Sequence, residues 1–210
     1  RPIFEAKIAT LAQLHNADYE AIGLADFGKP GNYFERQISR WTKQYQLSET
    51  QDIDTMNKLI EWLPKNIPHD DANSIVHGDY RLDNVIYHNT EARIIAVLDW
   101  ELSTLGDPIA DFSYLMLNWL QPAEGRAGLL GLNLEELGIP SVQEAVDRYV
   151  TRTNYPMPPM EWYFAYNLFR AAGITQGIKK RVIDGTASSA HAKSMSDRVA
   201  PLADAAYNFA

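Results

Sequence analysis

The feature that most constrains this chain is a change of hydrophobic period in mid-sequence. From Ile3 to Leu14 the apolar residues Ile3, Phe4, Ile8, Leu11 and Leu14 recur at three and four, the period of a helix with one buried face. After a Gly- and Pro-punctuated loop at 21–32, Phe34, Ile38, Trp41 and Tyr45 mark a second helix. Ser48 with Gln51 reads as a capping box that opens a third helix, ended by Pro64. Between Ser74 and Leu98 this period disappears. Ile75-Val76, Val85-Ile86-Tyr87 and the run from Arg93 to Leu98 are short, β-branched-rich stretches separated by polar turns, the pattern of strands or hairpins.

Helical spacing then returns. Asp107-Pro108 reads as N-cap and first turn of a helix to about Leu120, and Ser141 with Glu144 reads as the capping box of another through Tyr149. Two long closing helices are expected over 162–183 and 187–209. The fold class predicted is α+β, mainly helical, as one unit over 1–210: helical over 1–70, strands and loops over 74–106, helical over 107–210. The amphipathic pattern starts directly after Arg1, with no methionine, as expected of a piece of a longer protein.

Composition removes several classes. Nineteen Lys and Arg against 27 Asp and Glu give a net charge of -8, which argues against nucleic acid as a partner. The absence of cysteine removes disulfide frameworks, thiolate nucleophiles and cysteine-ligated metals, and favours a cytoplasmic location. No apolar run approaches the roughly 20 residues that span a bilayer, so no membrane association is expected.

Chemistry concentrates between Ile75 and Phe112, where polar residues cluster at the ends of the strand runs. Asp79 follows the first run and a glycine, Asn84 stands five residues on, and Asp99 ends the last run. An amide and a carboxylate at such positions suit a hard divalent cation, and leave a second carboxylate free as a base. Phosphoryl transfer needs that division of labour. His77-Gly78-Asp79 with Asn84, then Leu98-Asp99-Trp100, then Gly106-Asp107-Pro108 with Asp111, resembles the aminoglycoside phosphotransferase and choline kinase family. The resemblance covers the C-terminal lobe of that protein kinase-like fold.

The resemblance implies Asp79 as catalytic base, Asn84 and Asp99 as metal ligands, His77 as a residue that organises the loop, and Asp107 and Asp111 as structural support. It places Arg81 where a transition-state charge could be stabilised, and it implies Mg²⁺, ATP as phosphoryl donor and a small-molecule hydroxyl as acceptor. The wording HGDYRLDN and DWELSTLGDP, with Asp18 to Leu24 and Glu35-Arg36-Gln37, looks like the subgroup associated with acyl-CoA dehydrogenases, which implies a hydroxyacyl acceptor and a dehydrogenase as partner or fusion. The family's N-terminal lobe, with its phosphate-covering loop and strand lysine, is not found in these residues. The alternative is a non-catalytic kinase-like module that binds a protein partner. Gly23 to Pro30 mimics a phosphate loop, but Pro30 replaces the hydroxyl residue that would reach Mg²⁺. The aromatic run from Trp162 to Phe169 reads as core, and Trp100 and Glu101 as either core or substrate wall. His15, His69, His88 and His191 lack ligand spacing. Lys179-Lys180-Arg181 reads as a solvated helix face or as an attractor for phosphate.

Overall fold

The computed structural model describes residues 2–29, 31–68, 72–123, 128–187 and 192–210. Pro30, His69 and His191 lie outside them. In chain order the elements are α1 (Pro2–His15), α2 (Tyr33–Ser48), α3 (Asp54–Trp62), β1 (Ser74–Val76), β2 (Val85–Tyr87), β3 (Ile94–Val97), β4 (Thr104–Gly106), α4 (Pro108–Leu120), α5 (Val142–Thr153), α6 (Glu161–Ile183), α7 (Ala192–Ser196) and α8 (Val199–Tyr207). They form two compact units, Arg1–Gly31 with Asp70–Pro158, and Asn32–His69 with Pro159–Ala210.

The first unit holds all four strands. β1 pairs antiparallel with β4, Ile75 opposite Leu105, and β2 pairs antiparallel with β3, Val85 opposite Val97. α1 buries Ile8 and Leu11 of the stripe that its period announces, together with Lys7, Ala12 and His15, while Ile3 is exposed and Phe4 and Leu14 are half-buried; it packs beside α5 and β1. α4 is buried on nearly every side, so its apolar residues are not confined to a stripe. Asp107 caps it by accepting hydrogen bonds from the amides of Ile109 (2.7 Å) and Ala110 (3.2 Å), and Pro108 takes a first-turn position where its missing N–H costs nothing. The capping box of α5 forms in both directions, Ser141 Oγ accepting from the Glu144 amide and Glu144 Oε2 from the Ser141 amide. Gly28 stands against β4, where a Cβ would lie 2.6 Å from the Leu105 amide nitrogen, so this glycine serves close packing.

The second unit is helical. Its core is aromatic: Phe34 of α2 meets Trp162, Tyr163 and Tyr166 of α6 edge-on at 4.7 to 5.6 Å between ring centres, and Trp162 stacks on Tyr166. Gln176 crosses from α6 to donate to the Ser48 carbonyl at 2.5 Å.

Three local expectations are corrected. Ser48 opens no helix; it ends α2, its hydroxyl donating back to the carbonyls of Gln44 and Tyr45, and α3 starts instead after Ile53 without a side-chain cap. The closing helix expected over 187–209 is broken into α7 and α8. Pro201 has no N–H for the carbonyl of residue 197, where a continuous helix would need one, and it fits the first turn of α8. β4 lies beyond Asp99, which the sequence reading takes as the end of the last strand run, and it is a strand because its backbone completes β1.

Asp107→Ala removes two buried cap bonds, and it is expected to lower unfolding free energy by about 1 to 2 kcal/mol, read from urea denaturation.

Candidate active site

The stretch from His77 to Asn84 leaves β1 on a backbone that few sequences permit. Gly78 has φ +82, and a Cβ on it would sit 2.6 Å from the Leu102 carbonyl oxygen, so both conformation and space require glycine. The amides of His77 and Gly78 both donate to Asp111 of α4, to Oδ2 at 2.5 Å and Oδ1 at 2.8 Å. Asp111 is 1% exposed and faces His15 of α1, whose Nε2 lies 3.5 Å from Oδ2, while His15 Nδ1 meets the Tyr149 hydroxyl at 2.6 Å. Burial works to raise the Asp111 pKa, but His15 and the two backbone donors outweigh it and hold the carboxyl below its usual value.

His77 is fully buried, and its ring is spoken for on both sides. Nε2 lies 2.8 Å from the Leu98 carbonyl, which only accepts, so Nε2 carries the proton and donates; Nδ1 accepts from the Asp79 amide at 3.1 Å. The ring packs against Trp100, 4.8 Å between centres, and Trp100 donates to the Val97 carbonyl. His77 therefore ties the Asp79 loop to the end of β3 through two backbone groups.

Asp79 is half-buried with both oxygens held. Tyr114 of α4 donates to Oδ1 at 2.7 Å and Asn84 Nδ2 donates to Oδ2 at 2.9 Å, as well as to the Asp79 carbonyl. With the Asn84 amide nitrogen spent in this way, its Oδ1 is the side chain's remaining polar atom. The Asn84 carbonyl accepts from the Leu98 amide at 2.8 Å, so Leu98 is bonded to His77 on one side and to Asn84 on the other. The next residue is Asp99, which lies in the left-handed region at φ 66, ψ 55, between β3 and a 3-10 turn over Trp100–Leu102. Its side chain is exposed and accepts no hydrogen bond among the described residues. Aspartate is one of the few non-glycine residues that tolerate this conformation, and nothing among the described residues holds the carboxylate.

The structure thus brings Asp79, Asn84 and the residue preceding Asp99 into one hydrogen-bonded network, with Asp111 and His77 beneath it. Asp107 stands apart as a helix cap. Arg81 is half-exposed and bonded to Asp83. Lys7 of α1 is 2% exposed, and its pKa is lowered to about 8 chiefly by burial, with Asp83 pulling it up and Arg81 down; its carbonyl accepts from the buried Tyr80 hydroxyl. Tyr114 and His15 were missed in the sequence. Tyr114 stands three residues after Asp111, hence on the same helix face, which is the signal that could have found it. His15 gives none, because its partners are more than ninety residues away in the chain.

Asn84 Oδ1 and the Asp99 carboxylate are hard oxygen donors of the kind Mg²⁺ takes. Among the described residues no three His, Asp or Glu side chains gather into a metal site of their own. No helix among the described residues is long and apolar enough to cross a membrane.

The chain belongs to the phosphotransferase enzyme family, whose model matches residues 2–144. Its relatives include mouse acyl-CoA dehydrogenase family member 10, 42% identical over 99% of this chain and 20% of that protein, and human acyl-CoA dehydrogenase family member 11, 40% identical over 96% of this chain and 26% of that protein. The chain therefore spans a fifth to a quarter of the curated relatives it matches. A crystal structure of a Ralstonia eutropha protein assigned to the aminoglycoside phosphotransferases superposes with a TM-score of 0.94 at 50% identity, covering 99% of this chain and 64% of that one. Macrolide 2′-phosphotransferase type I shares the fold at a TM-score of 0.63 and 15% identity, over 94% of this chain and 58% of that one. The α+β, mainly helical kinase-like architecture expected from the sequence is the one found.

Two pH effects follow. Asp111 has a depressed folded pKa, so its contribution to stability is present above the ordinary carboxylate range and is lost as pH falls through the folded value. Asp111→Asn is expected to cost about 2 kcal/mol at neutral pH and to flatten the acid limb of stability against pH below about 4. Lys7 behaves oppositely, because between pH 8 and 10.5 the unfolded chain binds the extra proton and stability rises with pH. Lys7→Met is expected to stabilise the fold at pH 7, with a gain that shrinks through that interval in denaturant titrations.

Proposed function

We propose that this chain carries the catalytic loop of an ATP- and Mg²⁺-dependent phosphotransferase that moves the γ-phosphoryl group to a hydroxyl of a small molecule. The observation that carries this reading is the division between two carboxylates. Asp79 is oriented by Tyr114 and Asn84, whereas Asp99 is exposed, accepts no hydrogen bond among the described residues and is held in a left-handed conformation.

In this reading Asp79 accepts the proton of the acceptor hydroxyl as the O–P bond forms, and ADP leaves with the electron pair of the broken P–O bond. The two donors on Asp79 leave each oxygen one further lone pair, so the carboxylate can take the hydroxyl without losing its orientation. Asn84 Oδ1 and Asp99 would hold the metal. When bound, Mg²⁺ neutralises charge on the phosphate oxygens. Arg81, released from Asp83, would add a guanidinium to the developing charge. The catalytic assignments are thus Asp79 and Arg81, the metal ligands Asn84 and Asp99, and the supports His77, Asp107 and Asp111.

The 210 residues are read as the lobe that binds the acceptor and the phosphate end of the nucleotide. The solved relative is longer, this chain covering 64% of it, which accords with further nucleotide contacts supplied from outside this lobe. The dehydrogenase relatives support a hydroxyacyl compound as acceptor class and a dehydrogenase as partner or fusion.

The test uses the intact protein with ATP, Mg²⁺ and a panel of hydroxyacyl and non-acyl alcohols, with phosphorylated product read by mass spectrometry. Asp79→Asn is expected to lower kcat by about 10² to 10⁴ while leaving metal–nucleotide binding nearly intact, and Asp99→Ala to abolish that binding. Equal loss of binding in both would refute these roles.

A further inference from the structure

The basic cluster near the end of α6 is not used by the catalytic loop. In the second unit it forms one side of a groove of about 550 Å³, whose other side is α2. Arg40 and Lys43 line it from α2, and Lys180 and Arg181 from α6, with no Asp or Glu among the lining residues. That concentration of positive charge stands out in a chain of net charge -8.

Helix electrostatics account for part of it. Lys180 and Arg181 lie in the last turn of α6, where cations favour the helix dipole, and Lys180 also pairs with Asp184 at 2.7 Å. Neither reason applies to Arg40 and Lys43, which sit in the body of α2 and face the same space. Arg40 is fixed there, its guanidinium 5.2 Å from the Trp41 ring centre.

The floor is Gly177. A Cβ built on it would meet Arg181 Nη1 and Gln44 Nε2, each at 3.8 Å, which is ordinary contact distance. An alanine would fit, and a glycine inside a helix costs about 1 kcal/mol against alanine, so packing does not explain the glycine. Its effect is to leave an open spot on which two N–H donors from opposite helices converge. Donors from both helices and four cations, of which Lys180 alone pairs with an acid outside the lining, describe a receptor for a compact, multiply charged oxyanion.

We propose that the groove between α2 and α6 binds the phosphate or pyrophosphate group of a small-molecule ester. The site shares no residue with Asp79, Asn84 or Asp99, and it needs no metal.

The experiment is a calorimetric titration of the intact protein with inorganic pyrophosphate, at about 0.15 M salt so that diffuse attraction is screened, and with chelator present so that no metal-dependent site contributes. The unaltered protein and Asp99→Ala are expected to bind alike, whereas Lys43→Gln with Arg181→Gln is expected to bind about tenfold more weakly or worse. Gly177→Asp, which sets a carboxylate on the floor, should give the same loss by a different route. Both changes fall on lining residues outside the buried core, and matching thermal unfolding would establish that the fold is kept. No binding by the unaltered protein, undiminished binding by both groove variants, or loss of binding in Asp99→Ala would each overturn the proposal.

Discussion

The paired acceptance of the His77 and Gly78 amides by one buried carboxylate is the contact on which the rest of the loop depends. Asp111 can occupy that place because Asp107 starts α4 one turn earlier, and because the two amides and the His15 ring, 3.5 Å away, offset an otherwise costly buried charge. With the two amides fixed, Gly78 takes its left-handed turn and Asp79 emerges in a single direction. His77 then extends the order to Leu98, and Leu98 to Asn84. The order runs from a helix N-terminus to a strand end through backbone groups, so that only a few side-chain identities are needed to specify it.

The sequence disclosed this region well because its chemistry is local in the chain. Asp79 and Asn84 are five residues apart, and Asp107 announces its cap by the proline that follows. The single apolar stripe of α2 is equally legible, whereas α1 buries Lys7 and His15 and leaves Ile3 exposed. What stayed hidden depended on distance. Tyr114 reaches Asp79 across 35 residues and His15 reaches Asp111 across 96, and neither spacing leaves a trace in a hydrophobic pattern. β4 was invisible for the same reason: Thr104-Leu105-Gly106 has no strand character alone and becomes a strand by pairing with β1. Ser48 misled because serine near a helix boundary bonds as readily to carbonyls behind it as to amides ahead.

The helical unit follows a different logic. Its stability rests on the contact between the aromatic rings of α6 and Phe34, a large apolar area that tolerates many solvent-facing choices. Outer positions of that kind can change without disturbing the core beneath them. The basic groove lies on that outer surface.

The left-handed backbone at Asp99 has an evolutionary consequence. Glycine relaxes such a conformation, asparagine and aspartate tolerate it, and β-branched or bulky residues resist it. Random drift at this position is therefore channelled into a three-letter alphabet, and of the three only aspartate brings a negative charge. In any related chain that keeps the same turn, the letter found there works as a fossil of use: aspartate where selection still holds the charge in place, glycine or asparagine where only the shape of the turn has been inherited.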